Sequence, residues 1–314
     1  MKNKGDAMRR TTAALLAILA INALPTFGQP ASPRMLSVPT GDGGFVLYET
    51  SGNPDGEAVL TIHGGAVAAA FLPLMEQPAL SDYYLIRYHR RGFGGSSDRD
   101  GEGDRGGREI EAADALALLD HLNVTKAHVV AHSAGGPIAL ELARSYPDRV
   151  QSVILLEAQA PDTLSSRLAR EGLTPQEWEA RVEGFRNMPL ERRAPGYYDG
   201  LLESFYGENW RNELERFIPG ALEQANSDLQ NVWVTGMSTR PPVPDDFYGG
   251  LRQPVLFVLS DTPDDGYWNF IQNLAESPNV SIRRAVDVPN HAFQFRFPEP
   301  TAREIATWLS RNGF

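Results

Sequence analysis

From about residue 35 the chain alternates short apolar, largely β-branched runs with stretches whose apolar positions recur at helical spacing. That is the pattern of a mostly parallel sheet flanked by helices. Residues 45–49, 58–63, 84–88, 128–131 and 150–156 read as strands. Between them, 110–122 has apolar residues on one helical face, and 137–143 continues a helix that opens beside Ser133. After residue 250 the alternation resumes, with strands predicted at 254–259 and 280–286 and helices at 268–274 and 302–309. Residues 35–160 and 250–314 are therefore expected to build one α/β core domain.

Residues 161–249 interrupt this rhythm. They are helix-prone and rich in rings, among them Trp178, Phe185, Tyr197, Tyr198, Phe205, Tyr206, Trp210, Phe217 and Trp233. The segment reads as a helical cap inserted into the core domain, with most of its rings packed in the cap's own interior. The glycine-rich, charged stretch 98–108 reads as a solvated connection. The first 28 residues follow a third pattern: Lys2, Lys4, Arg9 and Arg10 precede the apolar run 13–21, and small residues close the stretch near Gly28. This is the order of a secretory signal peptide, and the apolar run is too short for the roughly 20 residues that span a bilayer. Export to the periplasm or medium is expected, with no stable membrane anchor after cleavage.

Composition narrows the class. At 314 residues, 42% hydrophobic and 22% charged, the chain can bury a sizeable core. Its net charge is −11, and loss of residues 1–28 would remove four bases and one acid and leave −14. Nucleic acid is an unfavourable partner for such a surface, since phosphate binding needs clustered Lys and Arg. There is no cysteine, hence no disulfide or thiolate chemistry. No metal-binding motif stands out among the six histidines, and no metal or cofactor is expected. The sequence does not specify an oligomeric state.

Candidate chemistry centres on His128-Val129-Val130-Ala131-His132-Ser133-Ala134-Gly135-Gly136, which runs from a predicted strand into a helix with Ser133 at the turn. Such a nucleophile elbow strains the serine backbone and lifts its hydroxyl clear of the sheet edge, so the neighbours must be small. Ala131 stands where the Gly-x-Ser-x-Gly pattern has its first glycine, and alanine is nearly as small.

With this elbow the chain resembles the α/β-hydrolase superfamily, serine-nucleophile branch with a helical cap, from residue 35 to the end. Leu60-Thr61-Ile62-His63-Gly64-Gly65 is similar to the family's oxyanion loop, and the match implies that the backbone N–H groups of Gly65 and Ala134 face the developing oxyanion. Tyr88-His89-Arg90-Arg91-Gly92-Phe93-Gly94 resembles a family segment whose role is mainly structural, so His89, Arg90 and Arg91 stay outside the catalytic set.

A serine needs a base within hydrogen-bond reach, and His291, near the C-terminus in Val288-Pro289-Asn290-His291-Ala292-Phe293, lies where the family places it. The acid that orients the base has two candidates. Glu157 ends the strand Val153-Ile154-Leu155-Leu156, where branches such as the haloalkane dehalogenases and zearalenone lactonases carry their acid. Asp264 follows the next strand, where most of the superfamily places it. The apolar run into Glu157 favours it, because an acid ending a buried strand needs a partner.

The resemblance implies hydrolysis of a carboxylic ester or lactone through an acyl-enzyme, on a small substrate with an apolar group. Alternatives are a cofactor-free haloperoxidase or perhydrolase, a carbon–carbon bond hydrolase on the same triad, and a non-catalytic ligand-binding member of the fold.

Overall fold

The computed structural model describes residues 35–65, 67–97, 107–161, 163–186, 203, 208–209, 211–212, 215, 242–260, 271, 279–284 and 291–312, all within the unit Arg34–Phe314. The predicted signal peptide, Asp264 and most of the predicted cap lie outside these residues.

Eight strands form one sheet: β1 (Leu36–Pro39), β2 (Phe45–Gly52), β3 (Ala58–Ile62), β4 (Tyr84–His89), β5 (Ala127–His132), β6 (Val150–Leu156), β7 (Val255–Leu259) and β8 (Val280–Arg284). They lie in the order β1-β2-β4-β3-β5-β6-β7-β8. Strand β2 is antiparallel to both its neighbours, and every pairing from β4 to β8 is parallel. Strands β3, β5 and β7 are buried at every position, as parallel strands covered on both faces must be.

The period of two along each strand sends alternate residues to the two faces. Leu60, Ile62, Val129, Ala131, Val153 and Leu155 join one cluster with helices α2 (Gly107–His121) and α3 (Gly136–Ser145). Val59, Val130, Ile154 and Leu156 join a second with the short helix α1 (Leu72–Met75) and the C-terminal helix, completing a three-layer sandwich.

Helices α4 (Leu164–Glu171) and α5 (Pro175–Arg186) fall within the predicted cap, as does Trp178, which is buried. The side chains of the other eight rings named there lie outside the description. A short helical turn, α6 (Phe293–Arg296), is followed by the 14-residue C-terminal helix α7 (Pro298–Arg311).

The strand 36–39 was not expected from its short pattern; it exists because β2 offers it an antiparallel partner. The connection expected to be solvated is corrected at its end. Arg108 is buried in the first turn of α2, and its Nε donates to the buried Glu141 of α3 at 3.3 Å. A charge run reads as solvated unless a distant segment supplies the counter-charge, and here α3 does. The arginines of the 88–94 segment are also buried. Arg91 makes a two-armed contact with Asp114 at 2.6 and 2.7 Å, and Arg87 reaches Glu49 at 2.5 Å.

Candidate active site

The C-terminal ends of the central strands meet at one edge of the sheet, the place where parallel α/β sheets present their ligand sites. Strand β5 ends in extended backbone at His132, and Ser133 then turns to φ +48°, beginning a single 3₁₀ turn, Ser133–Gly135, that feeds α3. A serine in the left-handed region is strained. The neighbours are small for reasons visible in space: a Cβ on Gly135 would come within 2.5 Å of the Ile62 carbonyl oxygen, and one on Gly136 within 2.4 Å of that of Gln159. A Cβ on Gly64 would lie 3.0 Å from the Ser133 Cβ, so the loop carrying Gly64 and Gly65 is packed against the Ser133 turn. Ser133 itself is 9% exposed.

Glu157, one residue past β6, adopts φ +43°. Three non-glycine residues among those described have positive φ: Asn123, Ser133 and Glu157. Asparagine tolerates that region readily; serine and glutamate do so far less. Backbone strain therefore falls on two sequence-predicted site residues, and strain of this kind concentrates at functional sites.

The Glu157 amide donates to the Val258 carbonyl at 2.9 Å, and its carboxylate accepts from the Ser260 amide. Its Oε2 lies 3.8 Å from Nδ1 of His291, a close polar contact rather than a formed hydrogen bond. Burial works to raise the Glu157 pKa, and the polar hydrogens facing the carboxylate from His291 and Ser260 more than offset it, holding the group below the usual glutamate range. The other acid candidate, Asp264, is outside the described residues.

His291 precedes α6 and is partly exposed. Its backbone carbonyl accepts a hydrogen bond of 2.8 Å from Nε2 of His132, and the two rings sit 4.8 Å apart. The structure thus brings Ser133, Glu157, His291 and the Gly64-Gly65 loop to one edge. Ala134 is the middle residue of the turn, and its carbonyl accepts from Arg90 Nη1 at 3.4 Å.

Three supporting residues were not singled out for the site. His132 holds the His291 backbone. The side chain of Arg90, 2% exposed, braces the turn at Ala134 and stacks its guanidinium 4.6 Å from the Phe93 ring centre. His63 joins the Gly64-Gly65 loop to the next loop: Nδ1 donates to the Gly64 carbonyl at 2.7 Å and Nε2 accepts the Arg90 amide at 3.0 Å. Those partners fix the neutral tautomer, and burial together with nearby Arg90 pushes the His63 pKa well below its ordinary value. Their only sequence signal was position inside motifs already read.

A second Ser-His-Glu group occurs at the opposite edge, where His128 Nδ1 lies 2.7 Å from Ser152 Oγ and Nε2 lies 3.7 Å from Glu57. Ser152 and His128 are fully buried within strands β6 and β5, so no substrate reaches that hydroxyl. His128 and His132, four apart on β5, are separated by about 13 Å of strand and share no metal. Among the described residues there is no cluster able to hold a metal ion and no helix long and apolar enough to cross a membrane.

Comparison with known proteins agrees with this fold. A family model described as alpha/beta hydrolase fold matches residues 57–195. The uncharacterised hydrolase YcgS of Bacillus subtilis is 31% identical over 153 residues, 48% of this chain and 47% of that one. A non-heme chloroperoxidase of Streptomyces lividans is 31% identical over 56% of this chain and 62% of its own length. The chain thus spans about half to three-fifths of these curated relatives. Among solved structures, a thermophilic esterase from Thermogutta terrifontis superposes with a TM-score of 0.65 at 21% identity, covering 88% of this chain and 98% of that one.

Proposed function

Because this chain belongs to the α/β-hydrolase superfamily, we propose that it is a serine hydrolase that cleaves a carboxylic ester or lactone through an acyl-enzyme. Ser133 is the nucleophile, His291 the general base, Glu157 the acid that orients it, and the amides of Gly65 and Ala134 the oxyanion donors. The observation that supports this reading best is the shared strain of Ser133 and Glu157, two positive-φ residues at the ends of adjacent strands, with Glu157 facing His291 at 3.8 Å.

In the first step His291 takes the Ser133 proton as Oγ attacks the acyl carbon, and the negative charge that develops on the carbonyl oxygen meets the two amides. His291 then gives that proton to the departing alkoxide. Water, deprotonated by the same base, attacks the acyl-enzyme and frees Ser133. Glu157 stays ionised throughout and stabilises the imidazolium, a role that suits a carboxyl held below its ordinary pKa.

Residues 161–249 are an inserted helical cap, residues 1–28 direct export, and the substrate is a small molecule with an apolar group. The test is twofold. A fluorophosphonate probe is expected to label Ser133, and Ser133→Ala to lower turnover of p-nitrophenyl butyrate by about 10³-fold or more. Labelling elsewhere, or turnover that survives in Ser133→Ala, would overturn the assignment. A non-catalytic binder would show no turnover above the Ser133→Ala variant.

The likeness to the chloroperoxidase favours one second reading. Hydrogen peroxide could replace water at the acyl-enzyme, releasing a peracid that oxidises halide. Bromination of monochlorodimedone that requires acetate, peroxide and Ser133 together would support it.

A further inference from the structure

A nucleophile and a base on segments far apart in sequence work only if something fixes their separation, and the acid alone does not do so here. Glu157 stands 3.8 Å from the His291 ring, beyond hydrogen-bond length. A formed bond on His291 comes from the other side, where its carbonyl oxygen accepts Nε2 of His132 at 2.8 Å. A carbonyl can only accept, so the ring of His132 carries its proton on Nε2.

Three observations make this bond a fixture. The ring belongs to a residue 4% exposed, at the end of a fully buried strand. It lies in tilted contact with the His291 ring, 4.8 Å between centres. Its other side is confined by the oxyanion loop, where a Cβ on Gly64 would fall 2.9 Å from its Nδ1. The ring therefore has little room to turn away. Burial and the neighbouring His291 also keep it neutral, so it does not set a second positive charge against the imidazolium.

We infer that His132 is a positioning residue: through Nε2–H and the carbonyl of His291 it sets the distance and approach of the general base relative to Ser133, its immediate chain neighbour. Only one peptide bond separates the donor's residue from the nucleophile's, so few soft torsions lie between the two reacting groups. This rests on the reading of Ser133 and His291 as nucleophile and base.

The experiment replaces His132 with Leu, Asn and Gln and compares each with the parent and with Ser133→Ala, counting active sites by fluorophosphonate titration. Gln can place an amide N–H near the lost Nε2; Asn is too short to reach, and Leu has no donor. His132→Leu and His132→Asn are expected to lower kcat per labelled site for p-nitrophenyl butyrate by about 10- to 100-fold, the scale of a displaced catalytic group. KM should stay near the parent value, the rate of Ser133 labelling should fall in step with kcat, and His132→Gln should recover most of the loss. A merely structural role would reduce the number of labelled sites and leave kcat per site unchanged, which overturns the inference. Should His132→Leu not fold, equal kcat in the Asn and Gln variants overturns it as well. Failure of the underlying reading is distinct, because then Ser133→Ala would retain the parent's turnover.

Discussion

The backbone amide of Gln159 donates to the carbonyl of Ser133 at 2.9 Å. The segment leaving β6, which begins with Glu157, is thereby tied to the Ser133 turn that leaves β5. Two strained turns on neighbouring strands brace each other, and the space between them is filled by Gly136.

That contact can be probed by adding a single methyl group. Gly136 has ordinary helical φ, so a substitution there meets only crowding: a Cβ would approach Gln159 O to 2.4 Å and Ala158 Cβ to 2.8 Å. Gly136→Ala is expected to cost about 1–3 kcal/mol of stability and to lower ester turnover in the folded protein. Gly184, inside α5 with nothing within 4 Å of a built Cβ, is the control. Gly184→Ala should stabilise by about 0.5–1 kcal/mol through the lost flexibility of glycine in a helix. Urea midpoints measure both, and the same sign at both positions would contradict the packing argument.

The choice of acid is tested by charge removal. Glu157→Gln keeps the shape and deletes the charge that would stabilise the imidazolium, so kcat should fall by about 10³- to 10⁴-fold. Asp264→Asn should leave turnover close to the parent's. A loss confined to Asp264→Asn would transfer the role to that residue.

The buried histidines predict how stability follows pH. Burial, aided by the nearby charge of Arg87, lowers the His89 pKa to about 3, and burial drives those of His63 and His132 well below the ordinary value of 6.5. The folded state keeps all three neutral where the unfolded chain protonates them. Unfolding then takes up protons below about pH 6.5, so stability is complete above that pH and is lost as the solution is acidified. Each such histidine contributes a slope of up to about 1.4 kcal/mol per pH unit. Urea midpoints should drop markedly from pH 7.5 to 5.0; a flat profile would mean these rings are charged or solvated in the folded protein.

Much of this protein is fixed by local pattern. Apolar runs of strand length, separated by helical stretches, specify the alternation of β3, β5, β6 and β7 with their covering helices, because periodicity and propensity act over a few residues. The small residues around Ser133 mark the elbow for the same reason: its strain is generated within one turn. What the tertiary structure alone decided is which distant groups meet. Glu157 comes beside the Ser133 turn because β6 lies next to β5 in the sheet, and it faces His291 from 134 positions away, meetings that no window of sequence contains. Its positive-φ turn is held by bonds to Val258 on the adjoining strand and to Ser260 just past that strand's end. Arg108 is buried because α3 brings Glu141 to it, and His132 finds the carbonyl of His291 159 positions along the chain. Contacts of that range depend on sheet order and layer packing, which emerge only when the whole core closes.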